Sequence, residues 1–195
     1  MTAARRAVAL VVGGMLAMTH ATSLLAKDIV PIDACALLDS SVIQEVIGVP
    51  VEKGDRRDSG VESNGAYSSA CVWMLTTERG RPTDPRAPLG GKSFVILNAL
   101  RWPNGAEGAR SYLQAFREAS DSGVIASKPS SRQLGDEALW WGDGLAVRKR
   151  EVSFGVSIFM PRAAAAHPDA RAGEREERLA KVILSRLESR AAVTR

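Results

Sequence analysis

Apolar side chains recur at helical spacing in three stretches of the chain. The first begins at Asp39 or Ser40, either of which can cap a helix that ends at Gly48. The second follows the turn Pro103-Asn104-Gly105, and the third runs from Asp169 to Arg190. Because the apolar residues of each stretch share one face, we expect all three helices to pack against a sheet. These faces consist of Val42, Ile43, Val46 and Ile47; Ala109, Tyr112, Leu113 and Phe116; and Leu179, Val182, Ile183 and Leu187.

Alternating apolar residues predict six strands. The strands around Trp73 and Leu97 carry apolar residues at both alternating sets of positions, which is typical of strands covered on both faces. Only tight turns separate the last three strands, so we expect these to be adjacent and antiparallel. The six predicted strands are Val49 to Lys53, Cys71 to Thr76, Lys92 to Trp102, Glu137 to Trp141, Leu145 to Lys149 and Val152 to Ile158.

Three connecting stretches are polar or rich in glycine, serine and proline. Gly54 to Ser69 and the connection that leads through Arg132 predict loops, and Arg79 to Gly91 predicts a long loop. Strands that follow one another, with helices before, within and after them, predict an α+β fold. We expect an antiparallel sheet of about five to six strands flanked by helices, with the two terminal helices on one side.

The first 26 residues have the pattern of an export signal. Arg5 and Arg6 supply positive charge, Ala7 to Met18 is mostly apolar, and small residues follow. This apolar segment is shorter than the roughly 20 residues that span a membrane, so we predict cleavage and a periplasmic or secreted protein without a stable membrane anchor. Two cleavage points stay open, after Ala21 and directly before Lys27, and no cysteine adjoins either for lipid attachment.

Residues 27–195 are predicted to form a single domain. They are 169 of the 195 residues, which is a typical domain length. Removal of the two leader arginines lowers the formal net charge from +4 to +2. The remaining arginines are scattered and form no basic stripe with interleaved aromatic residues, so nucleic-acid binding is not predicted.

The two cysteines, Cys35 and Cys71, are predicted to form a disulfide, because export takes them to an oxidising compartment. Cys35 precedes the first helix and Cys71 opens a strand, so the bridge would clamp helix to sheet. Closing a loop of about 36 residues would stabilise the fold by about 4 kcal/mol. The alternative, two buried free thiols, requires that the chain is not exported.

Residue patterns typical of catalytic or metal sites are weak in this chain. His167 is the only histidine after leader removal, and we interpret it as a capping or exposed loop residue rather than a base. One histidine and a disulfide leave too few ligands for zinc, and we predict no cofactor.

Asp136 and Glu137 would point to opposite faces of an extended strand, and Asp136 is better explained by turn chemistry. Gly90-Gly91-Lys92 precedes a strand, whereas phosphate-binding loops precede a helix.

The tryptophans are the best indication of binding. Trp140 and Trp141 are consecutive on a predicted strand, so their side chains should lie on opposite faces. An exposed tryptophan there, beside Trp102 at another strand end, could stack on a sugar ring or anchor a peptide. Trp102 and Trp140 are therefore candidate ligand-binding residues. In the alternative interpretation all four tryptophans pack in the core or at its rim.

Short motifs in a fixed order carry a family resemblance. They are Cys35-Ala36-Leu37-Leu38 followed by the helix that ends at Gly48, Cys71-Val72-Trp73, Leu134-Gly135-Asp136-Glu137-Ala138, and Leu145-Ala146-Val147-Arg148. With these motifs the chain resembles a broad group of exported bacterial proteins. The group includes actinobacterial lipoproteins and is similar to the extracellular sensor domains of some mycobacterial serine/threonine kinases. The resemblance implies a Mog1/PsbP-like fold with a disulfide between the two matching cysteines, and it implies no catalytic residues.

Two functional hypotheses follow. The first is a non-enzymatic exported binding or accessory protein of the bacterial cell envelope, with a small molecule, a glycan or an envelope protein as its partner. The second is a hydrolase of envelope polymers that uses carboxylates not identifiable from the sequence. A concave pocket with converging aspartate or glutamate side chains would favour the hydrolase, and an apolar groove lined by tryptophan and leucine would favour the binding protein.

Overall fold

The computed structural model describes residues 29–76, 93–160 and 171–193. The predicted leader at 1–26, the predicted long loop from Arg79 to Gly91, and His167 lie outside the described residues. The helices in the described ranges are α1 (Ser40–Ile47), α2 (Ala106–Asp121) and α3 (Glu174–Val193). The strands are β1 (Asp55–Val61), β2 (Tyr67–Met74), β3 (Phe94–Arg101), β4 (Ser130–Arg132), β5 (Glu137–Trp140), β6 (Leu145–Lys149) and β7 (Val152–Phe159).

The seven strands form one sheet in the order β1-β2-β3-β7-β6-β5-β4, and all neighbours are antiparallel. The inner strands β3 and β7 pair along their whole length, from Phe94 opposite Phe159 to Arg101 opposite Val152. The predicted α+β class, the inner position of β3 and the adjacency of β5, β6 and β7 are confirmed. Within the described residues the sheet has seven strands rather than the predicted five to six.

Both edge strands lie in stretches for which the sequence predicts loops. β1 is almost wholly exposed, so no alternation of apolar and polar residues marks it. It pairs with β2 across a turn in which the Glu62 N–H donates to the Ala66 carbonyl, and this backbone pairing makes it a strand. β4 is likewise a short edge strand that pairs only with β5. The predicted edge strand from Val49 to Lys53 is wrong, because that stretch contributes only a bridge between Val51 and Leu75.

The helices divide between the two faces of the sheet. α1 and α3 pack on one face, which we call the α3 face, as predicted for the terminal helices. α2 packs on the opposite face over β6 and β7, and we call this the α2 face. The α3 face carries one large core cluster. The α2 face carries two smaller clusters, one of Ala66, Leu100, Trp102 and Ala109 and one of Leu113, Leu139 and Ala146.

The ends of α1 agree with the sequence prediction, whereas the start of α3 differs from it. The Asp39 carboxylate accepts a hydrogen bond from the Val42 N–H at 3.1 Å and so caps α1. Gly48 ends the helix with φ 72°, in the left-handed region that glycine adopts easily. α3 begins at Glu174 rather than at the predicted Asp169, and residues 161–170 lie outside the described residues.

Cys35 and Cys71 form the predicted disulfide, which joins positions 36 residues apart. Cys35 lies in a turn in which the Asp33 carboxylate accepts a hydrogen bond from the Ala36 N–H at 3.1 Å. Cys71 is fully buried in β2, so the bridge fastens the segment before α1 to the sheet. In the described part of the chain, no helix has the length and apolar character needed to cross a membrane.

Candidate functional site

A cleft of about 440 Å³ opens at one end of the sheet, on the α3 face. Ligand pockets usually have volumes of roughly 300–1,000 Å³, so the cleft is large enough for a small molecule. Four parts of the chain line it: the segment before α1, the end of β3, the turn between β6 and β7 with its flanks, and the last turns of α3. Its apolar lining consists of Val30, Pro31, Ile32, Val152, Leu187 and Ala191, and its charged lining of Arg101, Lys149, Arg150, Glu151, Glu188 and Arg190.

Two strands each carry a row of apolar side chains that faces the core, and each row ends in a cation. Side chains at every second position of a strand share a face, so Arg101 continues the inner row of β3 and Lys149 that of β6. Val152 of β7 is the register partner of both residues, which brings the three side chains next to one another. The rows are Val95, Leu97, Ala99 and Arg101 in β3, and Leu145, Val147 and Lys149 in β6.

The tight turn between β6 and β7 positions a further cation. Arg150 has φ 53°, in the left-handed region that side chains other than glycine rarely adopt. Its backbone N–H donates to the Asp136 carboxylate at 2.6 Å, which holds the turn in place. The exposed Arg150 side chain therefore stands at the rim of the cleft.

Several charged groups of the cleft are engaged in holding α3 to the rest of the fold. The Lys149 ammonium lies 2.8 Å from the Glu188 carboxylate and 4.0 Å from that of Asp136. The hydrogen bond from Lys149 lowers the pKa of Glu188. Arg190 donates to the backbone carbonyl of Ala36 at 3.1 Å. These contacts tie α3 to β6 and to the segment before α1.

Arg101 and Arg150 differ from Lys149 and Arg190, since neither side chain makes an ion pair or a hydrogen bond within the described residues. The Nε of Arg101 is buried and has no hydrogen-bond acceptor in this part of the chain. Buried donors without an acceptor are rare in folded proteins, so this atom is one that a ligand could satisfy. The lining residues comprise four cations and two carboxylates, which gives the cleft a formal charge of +2.

The carboxylates singled out in the sequence, Asp136 and Glu137, are both bound to arginine. They lie 3.1 Å and 3.6 Å from the Arg148 guanidinium, so one arginine lies near both carboxylates. Gly135 has a φ of 59°, and Asp136 precedes the extended part of β5. Glu137 also accepts a hydrogen bond from Arg117 of α2 at 2.5 Å. This cluster joins β5, β6 and α2.

The two candidate tryptophans lie on opposite faces of the sheet. Trp102 is 8% exposed on the α2 face, and its Nε1 donates to the Ser153 hydroxyl at 2.8 Å. Trp140 is half-buried on the α3 face, where a Cβ added to Gly173 would come within 2.7 Å of its ring. Trp141 packs on the α2 face, so the consecutive tryptophans do alternate. Ligand binding by Trp102 and Trp140 stays a prediction, and neither side chain lines the cleft.

Sequence reasoning missed Arg101, Lys149 and Arg150. A signal was nevertheless present, because Arg101 and Lys149 each end an apolar row at a position whose spacing points to the core. A cation at such a position needs either a partner or an opening to solvent or ligand. Arg150 carries no comparable signal, since its role depends on the geometry of the turn.

The chemistry of the cleft is inferred from the residues that line it. Comparisons with family models, with curated proteins and with solved structures found no match to this chain. Across residues 29–76, 93–160 and 171–193, no three histidine, cysteine, aspartate or glutamate side chains come together as metal ligands. The described cleft offers apolar walls and cations, which suit an anion with an apolar part.

Proposed function

We propose that this chain is a non-enzymatic exported binding or accessory protein of the bacterial cell envelope, and that it holds a small ligand in the cleft. The observation that carries the proposal is the cleft itself, with its apolar floor and an arginine that lacks a partner among the described residues. The leader pattern and the disulfide support export to an oxidising compartment. The resemblance to exported actinobacterial lipoproteins and kinase sensor domains fits an exported protein and implies no catalytic residues.

The electrostatics of the cleft favour binding over hydrolysis. A general acid in glycoside hydrolysis needs a carboxyl group whose pKa is raised, so that it holds a proton at neutral pH. The Lys149 ammonium instead lowers the pKa of Glu188.

Export can be tested by expressing the full chain with its leader in a bacterium and measuring the intact mass in each cell fraction. We expect a periplasmic or secreted product that lacks 21 or 26 residues and is lighter by two hydrogens because of the disulfide. Native mass spectrometry of the same sample would show any ligand retained in the cleft. A variant without residues 1–26 is the control and should stay in the cytoplasm. Unprocessed cytoplasmic protein with free thiols would contradict the proposal.

The hydrolase alternative has its own test. The processed protein would be incubated with purified cell-envelope polymers, and the release of soluble fragments would be measured. We expect no release above that from heat-inactivated protein. Release that is lost in Glu151→Gln or Glu188→Gln would contradict the non-enzymatic proposal.

A further inference from the structure

We infer that the cleft binds an amphipathic carboxylate, with Arg101 holding the carboxylate head and the apolar walls holding the tail. This inference rests on the proposed binding function and names the chemical class of its ligand. Two observations carry it. The buried Nε of Arg101 has no hydrogen-bond acceptor within the described residues, and Arg101 lines the same cleft as the apolar floor.

Arg101 has the chemistry and the position for an anion anchor. A guanidinium is planar and always charged, and its fork of donors matches a carboxylate with two parallel hydrogen bonds. The register of β3 and β7 fixes Arg101 beside the buried Val152, and both residues line the cleft. A carboxylate bound there would supply the acceptor that its buried Nε lacks within the described residues.

The other charges of the cleft select a head with a single negative charge. Lys149 is already paired with Glu188, and Arg190 with a backbone carbonyl, so Arg101 and the exposed Arg150 are the cations that face a ligand. Two carboxylates and the carbonyl end of α3 also lie at the cleft, and both repel additional negative charge. A carboxylate therefore fits better than a phosphate monoester, which carries nearly two charges at neutral pH.

The walls of the cleft select an apolar tail. Ile32 and Val152 are 3% and 4% exposed and form a floor that belongs to the core of the α3 face. Leu187 and Ala191 of α3 also line the cleft, as does Val30, which is 62% exposed. An aliphatic chain would remove this apolar surface from water, whereas a sugar would leave hydroxyl groups without partners there.

The inference is tested by isothermal titration of the processed, oxidised protein with decanoate, below the concentration at which decanoate forms micelles. We expect decanoate to bind, and both 1-decanol and acetate to bind at least about tenfold more weakly, because each lacks one half of the recognised structure. Decyl phosphate should also bind more weakly than decanoate. Equal affinity for 1-decanol, tighter binding of decyl phosphate, or no binding of decanoate would overturn the inference.

Variants then locate the binding site. Arg101→Gln should weaken decanoate binding by roughly tenfold to a hundredfold, with Arg101→Lys between it and the native protein. Arg110→Gln, which removes an exposed arginine from α2 on the opposite face, should leave the affinity unchanged. Ala191→Trp leaves Arg101 in place but fills the cleft, and it should also abolish binding. Thermal unfolding shows whether each variant folds, and unchanged affinity in folded Arg101→Gln or Ala191→Trp would overturn the inference.

The two proposals fail on different results. A neutral ligand found in the cleft of the native protein would leave the binding function standing and overturn only the carboxylate assignment. Unprocessed cytoplasmic protein would overturn the exported binding function, whatever its affinity for decanoate.

Discussion

The two faces of the sheet are stabilised to very different degrees. The α3 face has one large core, the disulfide, and a hydrogen-bonded ion pair between Asp39 at the start of α1 and Arg186 of α3. The α2 face has two small clusters, and α2 begins at Gly105 without a side-chain cap. The cleft opens at the end of the better-stabilised face. A binding site built there rests on well-packed elements, which we expect to keep its charged groups in position.

The largest expected effect is the loss of the disulfide on the α3 face. Cys35→Ser should destabilise the oxidised protein by about 4 kcal/mol, because the unfolded chain regains the freedom of a long loop. This corresponds to a fall of roughly 8–16 °C in Tm for a domain of this size. Cys35 is the better target because it is only half-buried, whereas a hydroxyl at the fully buried position 71 would add a desolvation penalty.

Reduced protein is the control for this prediction. Native protein treated with a reducing agent should unfold at the same temperature as Cys35→Ser, and the variant itself should not respond to the reducing agent. If Cys35→Ser is less stable than the native protein by the same amount under oxidising and under reducing conditions, the loss comes from packing at position 35 and not from the bridge.

Matched core truncations compare the two faces directly. Ile183 of α3 and Leu113 of α2 are both fully buried, and each is surrounded by apolar side chains of its own face. We expect Ile183→Ala to cost about 3–4 kcal/mol and Leu113→Ala about 2 kcal/mol in free energy of unfolding. The difference arises because the half-buried rings of Phe116 and Trp141 can move into a cavity at position 113. Urea unfolding with unchanged m values measures both costs. Equal costs for Ile183→Ala and Leu113→Ala would contradict the conclusion that the α3 face is the better stabilised of the two.

Most of the fold was predictable from the sequence because burial leaves a pattern. The apolar faces of the three helices and the alternation in β3, β6 and β7 are direct consequences of packing against a sheet. The edge strand β1 was not predictable in this way, because both of its faces are exposed and no apolar alternation marks it. Charged residues such as Arg56 and Asp58 pair along it and resemble a polar loop in the sequence.

The candidate site was harder to predict than the fold. The cleft joins Ile32, Arg101, the turn at Arg150 and the end of α3, which are far apart in sequence. Which of its cations are already paired depends on side-chain contacts such as that between Lys149 and Glu188. Periodicity shows which residues face the core, but it does not show where two layers separate to leave a cavity.

The smallest expected effect concerns the link between α1 and α3. The pKa of Asp39 is lowered from 3.8 to about 2, first by a hydrogen bond from the Ser41 hydroxyl and then by one from the Arg186 guanidinium. Because its pKa is lowered on folding, Asp39 contributes stability above pH 3.8, and this contribution disappears as the pH falls through about 2. Asp39→Ala should therefore cost about 1 kcal/mol at pH 7, mainly through loss of the cap of α1.

The pH dependence separates a charged cap from a merely structural residue. The stability difference between native protein and Asp39→Ala should shrink between pH 4 and pH 2, because Asp39 of the unfolded chain takes up a proton in this range while the native carboxylate stays ionised until about pH 2. Glu107→Gln is the matched control on the α2 face, since Glu107 is exposed in the first turn of a helix without a side-chain cap. It should change stability by only about 0.3 kcal/mol at pH 7. Urea unfolding across this pH range measures the stability difference between native protein and Asp39→Ala. A difference that does not change with pH would mean that Asp39 acts through its shape and not through its charge.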